Sequence, residues 1–205
     1  ILRQDPNIIL IGEIRDSETA KIAVRASITG HLVLSTIHTN NSLSTIERLL
    51  DMDVERYLLS SALEGIISQK LARRICPHCR KSRPTTPLEK EVFKRVLNKD
   101  VEETWEAVGC ENCISGYLGR IAIQEVLLIN EELRDIISSE ETTKEEIREI
   151  VYGKDNTVTL LQDGLEKVLN GYTTFDEIYK LIEIEDDIDN NISNIAKNME
   201  DENKK

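Results

Sequence analysis

Apolar residues recur along this chain with two periods. Ile8-Ile9-Leu10-Ile11 is an unbroken apolar run closed by Gly12 and Glu13, the pattern of a strand buried on both faces of a parallel sheet. Leu32 to Ile37 forms a second β-rich run, bracketed by His31 and His38. Between the two runs, Asp16 and Ser17 offer N-caps, Glu18 puts negative charge in a first helical turn, Ala20 to Ser27 suit a helix, and Gly30 stops it. A strand, helix and strand of this length predict a right-handed βαβ unit with parallel strands. Ligands of such sheets bind beyond the carboxyl ends of the strands, so Glu13 and His38 belong to one candidate site edge, with Gly12 leaving backbone room beside it.

Helical spacing resumes at Leu43, Ile46, Leu49 and Leu50, which predicts a helix over residues 42–52. It returns at Leu58, Leu59, Ala62, Ile66, Ile67 and Leu71, which predicts a helix over 55–72, bent at Gly65 and ending near the basic residues Lys70, Arg73 and Arg74. A helix is expected over 87–97. After a turn at 116–120, residues 121–129 alternate as a strand returning to the main body, and helices follow near 131–138, 143–151, 160–169 and 174–182. From residue 184 the chain is Asp, Glu, Asn and Lys with isolated isoleucines, a composition that favours disorder.

Composition narrows the function. With 38 Asp plus Glu against 26 Lys plus Arg, the formal net charge is −12, which excludes a broad basic face for nucleic acid. No apolar run approaches the roughly 18 residues of a membrane-spanning helix, and there is no secretory signal pattern. Any membrane association is expected to be indirect, and the chain to be soluble and cytoplasmic.

All four cysteines fall in two C-x-x-C pairs, Cys76-Pro77-His78-Cys79 and Cys110-Glu111-Asn112-Cys113. Each turn aims two thiolates at one tetrahedral ion, and two such turns close a structural Zn²⁺ site with no position left for catalysis. A redox dithiol needs only one such pair near a βαβ start, and two disulfides are out of keeping with a cytosolic-looking acidic chain. The segment between the pairs exceeds the roughly 15–20 residues of the commonest ribbon spacing, leaving room for the helix at 87–97. Trp105 is expected to help cover the metal or its loop.

The run GEIRDSETAKIAVRASITGHLVLSTIHTN resembles the Walker B segment and histidine box of the secretion ATPases, the hexameric motors of type II secretion and type IV pilus assembly. The resemblance continues through LLSSALEGIISQKLARRICPHC, the CENC pair and GYLGRIAIQEVLLIN to about Tyr179. It implies an α/β fold: the second half of a RecA-like P-loop NTPase sheet over residues 1–74 and the inserted four-cysteine zinc knuckle over 75–119. A return strand and C-terminal helical subdomain over 120–183 and the acidic tail over 184–205 complete it. The resemblance makes Glu13 the Walker B glutamate that activates water or holds a metal-bound water; the Gly12 before it, where many P-loop proteins have Asp, is a trait of this family. It makes His38 and His31 the histidine-box pair that senses the γ-phosphate, with Gly12, Arg15, Thr36 and Thr39 beside the nucleotide and Cys76, Cys79, Cys110 and Cys113 on the zinc. ATP, Mg²⁺ and Zn²⁺ are the implied cofactors. A homo-hexamer on inner-membrane platform proteins is the implied assembly.

The phosphate-binding motif G-x-x-x-x-G-K-[ST] occurs nowhere in the sequence, and the first residue is Ile1. The expectation is therefore part of a motor that begins just before Walker B and is inactive alone. The alternative is a zinc-containing docking module for a membrane platform, without catalysis.

Overall fold

A computed structural model describes residues 6–153 and 157–183; the acidic tail and Ile1 lie outside the described residues. The chain divides into two compact units, one made of residues 1–68 and 125–158, the other of 69–124 and 159–205.

The first unit opens with the βαβ arrangement expected from the sequence. Strand β1 (Ile8–Ile11) pairs in parallel with β2 (Leu32–Ser35), Ile8 opposite Leu32 and Ile11 opposite Ser35. Helix α1 (Ser17–Ile28) joins them. Asp16 caps it by accepting from the Thr19 N–H at 2.8 Å, and that bond holds the Asp16 carboxyl below its ordinary pKa. Gly30, with φ +96°, supplies the left-handed turn that redirects the chain into β2.

Helices α2 (Ser42–Asp51), α3 (Arg56–Ala62), α5 (Glu131–Ser138) and α6 (Lys144–Tyr152) complete this unit. Its core includes Ala20, Val24, Ile46, Leu49, Leu59, Leu127, Leu133, Ile137, Ile147 and Val151. Each fully buried aliphatic side chain there contributes roughly 1.5–3 kcal/mol, so the cluster, more than helix propensity, holds these short helices. Arg134 ties α5 to α3 by pairing with Glu64 at 3.0 Å and donating to the Ser60 carbonyl.

The helix expected over 55–72 is not one. It stops at Ala62, Leu63 turns extended (φ −81°, ψ 119°), and strand β3 runs over Gly65–Ile75. Leu58, Leu59, Ala62, Ile66 and Ile67 mimic helical spacing, but from Gly65 to Ala72 burial alternates with period 2: Ile66 and Ala72 are buried and Ser68 and Lys70 half-buried, while Ile67 and Leu71 face outward. Pairing with the long strand β6 (Tyr117–Leu128) overrides the local preference. The ladder comes close at Gly65, where an added Cβ would sit 3.2 Å from the Leu127 carbonyl oxygen. Lys70, Arg73 and Arg74 therefore lie along β3 and do not end that helix; Lys70 Nζ instead donates to the Leu181 carbonyl at 3.4 Å.

In the second unit, β4 (Lys81–Pro84) and β5 (Glu103–Glu106) form an antiparallel pair that the sequence pattern did not disclose. Helix α4 (Pro87–Leu97) lies between them in sequence, with Pro87 at its start and a reciprocal Thr86–Glu89 capping box. Helices α7 (Leu160–Leu169) and α8 (Phe175–Glu183) pack here, around Ala72, Val92, Phe93, Ile123, Leu165, Val168, Phe175 and Ile178. Phe93 and Phe175 meet with ring centroids 5.9 Å apart at 56°. Arg73 clamps α8 to β3: its guanidinium forms a forked pair with Glu177 and lies 4.0 Å over the Tyr117 ring. That pairing holds the Glu177 carboxyl below the usual range and raises Arg73 further. Among the described residues no helix is long and apolar enough to cross a membrane.

Candidate functional site

Parallel pairing of β1 and β2 delivers two short loops to one edge of the sheet. Thr36 fastens them together: its hydroxyl donates to the Gly12 carbonyl at 2.7 Å, and its own carbonyl accepts from the Ile14 N–H at 2.8 Å. Glu13 and His38 are thereby brought side by side, His38 Nε2 lying 3.4 Å from Glu13 Oε2. Arg15 Nε donates to the same carboxylate oxygen at 2.6 Å. The Glu13 side chain is 35% and that of His38 85% exposed, so both remain open to a ligand. A Cβ built at Gly12 would meet nothing within 4 Å, so there is open space beside the backbone there.

Thr39 lies just past His38, its hydroxyl 2.7 Å from that of Thr45 on α2. His31 does not join this group. It sits before the first residue of β2, at the opposite end of the strand, about 13 Å away for four extended residues. There its Nδ1 donates to the Ala26 carbonyl at 3.0 Å and lies 3.2 Å from the Thr29 hydroxyl, closing the end of α1.

One buried carboxylate escaped the reading of the sequence. Glu125 on β6 is 0% exposed, accepts from the Ser42 N–H at 2.8 Å and from the Tyr152 hydroxyl at 3.4 Å, and its Oε2 has no partner among the described residues. A signal was present: in Ile121–Ile129 the inward positions are 121, 123, 125, 127 and 129, and a glutamate occupies one of them.

The four cysteines converge in the second unit. Their sulfurs lie within 4.8 Å of one another, with Cys76–Cys110 at 3.9 Å and both Cys79–Cys113 and Cys110–Cys113 at 3.7 Å. A tetrahedron of thiolates about 2.3 Å from a central Zn²⁺ has edges of about 3.8 Å, so the donor set fits that ion. The Gly109 N–H donates to Cys79 Sγ at 3.3 Å and the Cys110 N–H to Cys113 Sγ at 3.2 Å, steadying thiolate charge. Among the bare thiols protonation is unequal. Burial raises the Cys113 pKa, but donation from the Cys110 N–H and from neighbouring thiols brings it to about 7. The Asn112 N–H lowers that of Cys110, but burial and the other thiols push it up to about 12. One thiolate forms easily and crowding opposes the next, an opposition that a bound divalent cation removes. Trp105 stacks on Arg80, the residue after Cys79, 4.5 Å from ring centroid to guanidinium, and its Nε1 donates to the Leu169 carbonyl at 3.4 Å.

Residues 1–180 match the family model described as type II/IV secretion system protein. The chain is 44% identical over 182 residues to the type II secretion system protein E of Aeromonas hydrophila, spanning 88% of this chain and 36% of that protein. It is 45% identical over 182 residues to the type IV pilus assembly ATPase PilB of Thermus thermophilus, spanning 86% of this chain and 20% of that one. The pilus retraction motor PilT, solved with bound ADP, superposes with a TM-score of 0.59 at 26% identity, covering 88% of this chain and 40% of the motor. The chain thus spans about a third of the length of relatives such as the Aeromonas protein. Its βαβ unit and the match to PilT are those of a RecA-like ATPase fold. Sequence and fold agree: the chain belongs to the type II/IV secretion system protein family.

Proposed function

We propose that this chain forms part of a hexameric ATPase motor that couples ATP hydrolysis to type IV pilus assembly or type II secretion, working in the cytoplasm on inner-membrane platform proteins. The observation that carries the reading is the meeting of Glu13 and His38 at the carboxyl edge of a parallel β1–β2 pair, in a chain whose relatives include a pilus assembly ATPase. An identity of 44–45% to secretion and assembly proteins, against 26% to the retraction motor, favours assembly over retraction.

In this role Glu13 orients the attacking water and accepts its proton as the oxygen bonds to the γ-phosphorus and the bond to ADP breaks. Mg²⁺ would neutralise phosphate charge when bound, and a single carboxylate such as Glu13, acting through a metal-bound water, suffices to hold it from this chain. His38 donates a ring N–H to a γ-phosphate oxygen and reports its loss, while Arg15 leaves Glu13 to meet phosphate charge. Thr36 and Gly12 keep the two loops in register. His31, at the other strand end, secures α1. The phosphate loop that completes the site is not in this sequence, so turnover requires the full-length protein. The four cysteines hold one structural Zn²⁺ and take no part in hydrolysis.

Steady-state ATP turnover by full-length protein tests this directly. Glu13→Gln should lower kcat at least about a hundredfold while ATP still binds, in line with the roughly 10²–10⁴-fold share of a positioned general base. Normal turnover would remove Glu13 from the role and leave a zinc-containing docking module as the better reading.

A further inference from the structure

Glu125 is a buried titratable group that the mechanism above does not use. It stands on an inward position of β6, and its Oε1 takes the Ser42 N–H, the first free donor of α2, from 83 residues away in sequence. A carboxylate suits that place, because the amino end of a helix carries partial positive charge and unpaired N–H groups. The helix start around it is sealed: Asn41 and Thr45 are 5% exposed and Ser42 is 0%. Burial and the adjacent Glu125 charge raise the Tyr152 pKa, keeping that hydroxyl protonated as a second donor to Glu125.

The helix start that Glu125 holds is also the far end of the His38 loop. Three residues separate His38 from Ser42. Thr39 rests on Thr45 of α2 by the 2.7 Å hydroxyl pair, and Thr45 donates back to the Asn41 carbonyl at 3.1 Å. Asn41 accepts from both the N–H and the hydroxyl of Ser44 at 2.8 Å. At its near end the loop is tied to the Glu13 strand by Thr36. Loop residues 36–41 therefore hang between two anchors, and one of them ends on a carboxylate of β6.

We infer that Glu125 is a positioning residue for ATP hydrolysis: by fixing the start of α2 it sets where His38 stands against Glu13. This rests on the reading of Glu13 and His38 as the hydrolytic pair. What matters is the reach of the side chain to Ser42. Glutamine keeps that reach without the charge; aspartate keeps the charge but is one methylene short.

The test compares Glu125→Gln, Glu125→Asp and Glu125→Ala in full-length protein, reading kcat, KM for ATP, zinc content, and amide exchange by mass spectrometry. Glu125→Gln should stay within about twofold of wild type. Glu125→Asp and Glu125→Ala should lose at least about tenfold in kcat with KM little changed, since displacement of a catalytic group by about 1 Å can cost up to a hundredfold. Exchange over residues 36–44 should quicken in those two and not in Glu125→Gln, with zinc content constant. Should Glu125→Ala not fold, the Asp and Gln variants decide between them. Normal kcat in Glu125→Asp, or a Glu125→Gln variant as slow as Glu125→Asp, would overturn the role of reach. Glu13→Gln run alongside separates the two claims: normal turnover there defeats the hydrolytic reading and this role together, whereas a slow Glu13→Gln beside a normal Glu125→Asp defeats only the role of Glu125.

Discussion

Gly164, in the middle of α7, is a place where two known effects oppose each other. Glycine in a helix interior is about 1 kcal/mol less favourable than alanine, so Gly164→Ala ought to stabilise α7 if nothing were near. A Cβ there would instead stand 2.7 Å from Ile178 Cγ2 and 3.1 Å from its Cδ1. The nearer atom is a branch methyl whose position is fixed by a stiff χ1, and Ile178 is 0% exposed, so neither side chain nor helix can step aside freely. Overpacking of this kind costs about 1–3 kcal/mol. Taking the middle of that range, Gly164→Ala should be less stable by about 1 kcal/mol, a fall of about 2–4 °C in unfolding midpoint for a chain of this size. The sign should reverse when the obstacle goes: in an Ile178→Ala background the same Gly164→Ala change should stabilise by about 1 kcal/mol. Thermal unfolding followed by circular dichroism of the four proteins measures this. Stabilisation in the wild-type background, or an equal loss in both, would refute the close packing of α7 on α8.

Further outcomes are expected elsewhere in the chain. Arg83 meets Glu89 through two bonds of 2.8 and 2.6 Å; burial raises the Glu89 pKa, but Arg83 and the Thr86 N–H outweigh it and hold the carboxyl below its ordinary value near 4.5. A depressed folded value means this stabilisation is complete above pH 4.5 and fades as pH falls through the folded value. Glu89→Gln should thus cost about 2 kcal/mol at pH 7 and progressively less in acid, and a difference independent of pH in urea melts would contradict it. Metal analysis should find about one zinc per chain, released as the pH is lowered and thiols take up protons, whereas four freely titrating thiols in native protein would exclude the site. His31→Ala should cost about 1 kcal/mol in unfolding yet leave turnover within about threefold; a hydrolysis defect as deep as that of His38→Ala would return His31 to the site.

Much of this was legible in the chain because local rules were obeyed. Asp16 is a cap whose side chain does bond an N–H of the first turn as expected, and α5 and α7 begin and end at the expected residues. The Glu13–His38 meeting follows from parallel strands and short loops, and the cysteine cluster from two C-x-x-C turns. What failed were features set by distant partners. Residues 65–72 carry helical spacing and helix-compatible residues, and only β6 makes them a strand. The pair β4–β5, KSRP against ETWE, has too few apolar residues to announce itself. Histidines bracketing a strand look equivalent in one dimension, yet the four residues of β2 put His31 and His38 beyond its opposite ends. Glu125 needed the strand's register before its burial meant anything.

The central claim is that Glu13 and His38 act on one phosphoryl group. A double-mutant cycle in full-length protein measures it most directly, with kcat for ATP hydrolysis determined for wild type, Glu13→Gln, His38→Ala and the pair. Groups that work as a unit lose little more together than the worse single loss, so the double variant should lie within about threefold of Glu13→Gln alone. Multiplication of the two losses would mean that the two residues serve separate steps, and the account of the site would be wrong.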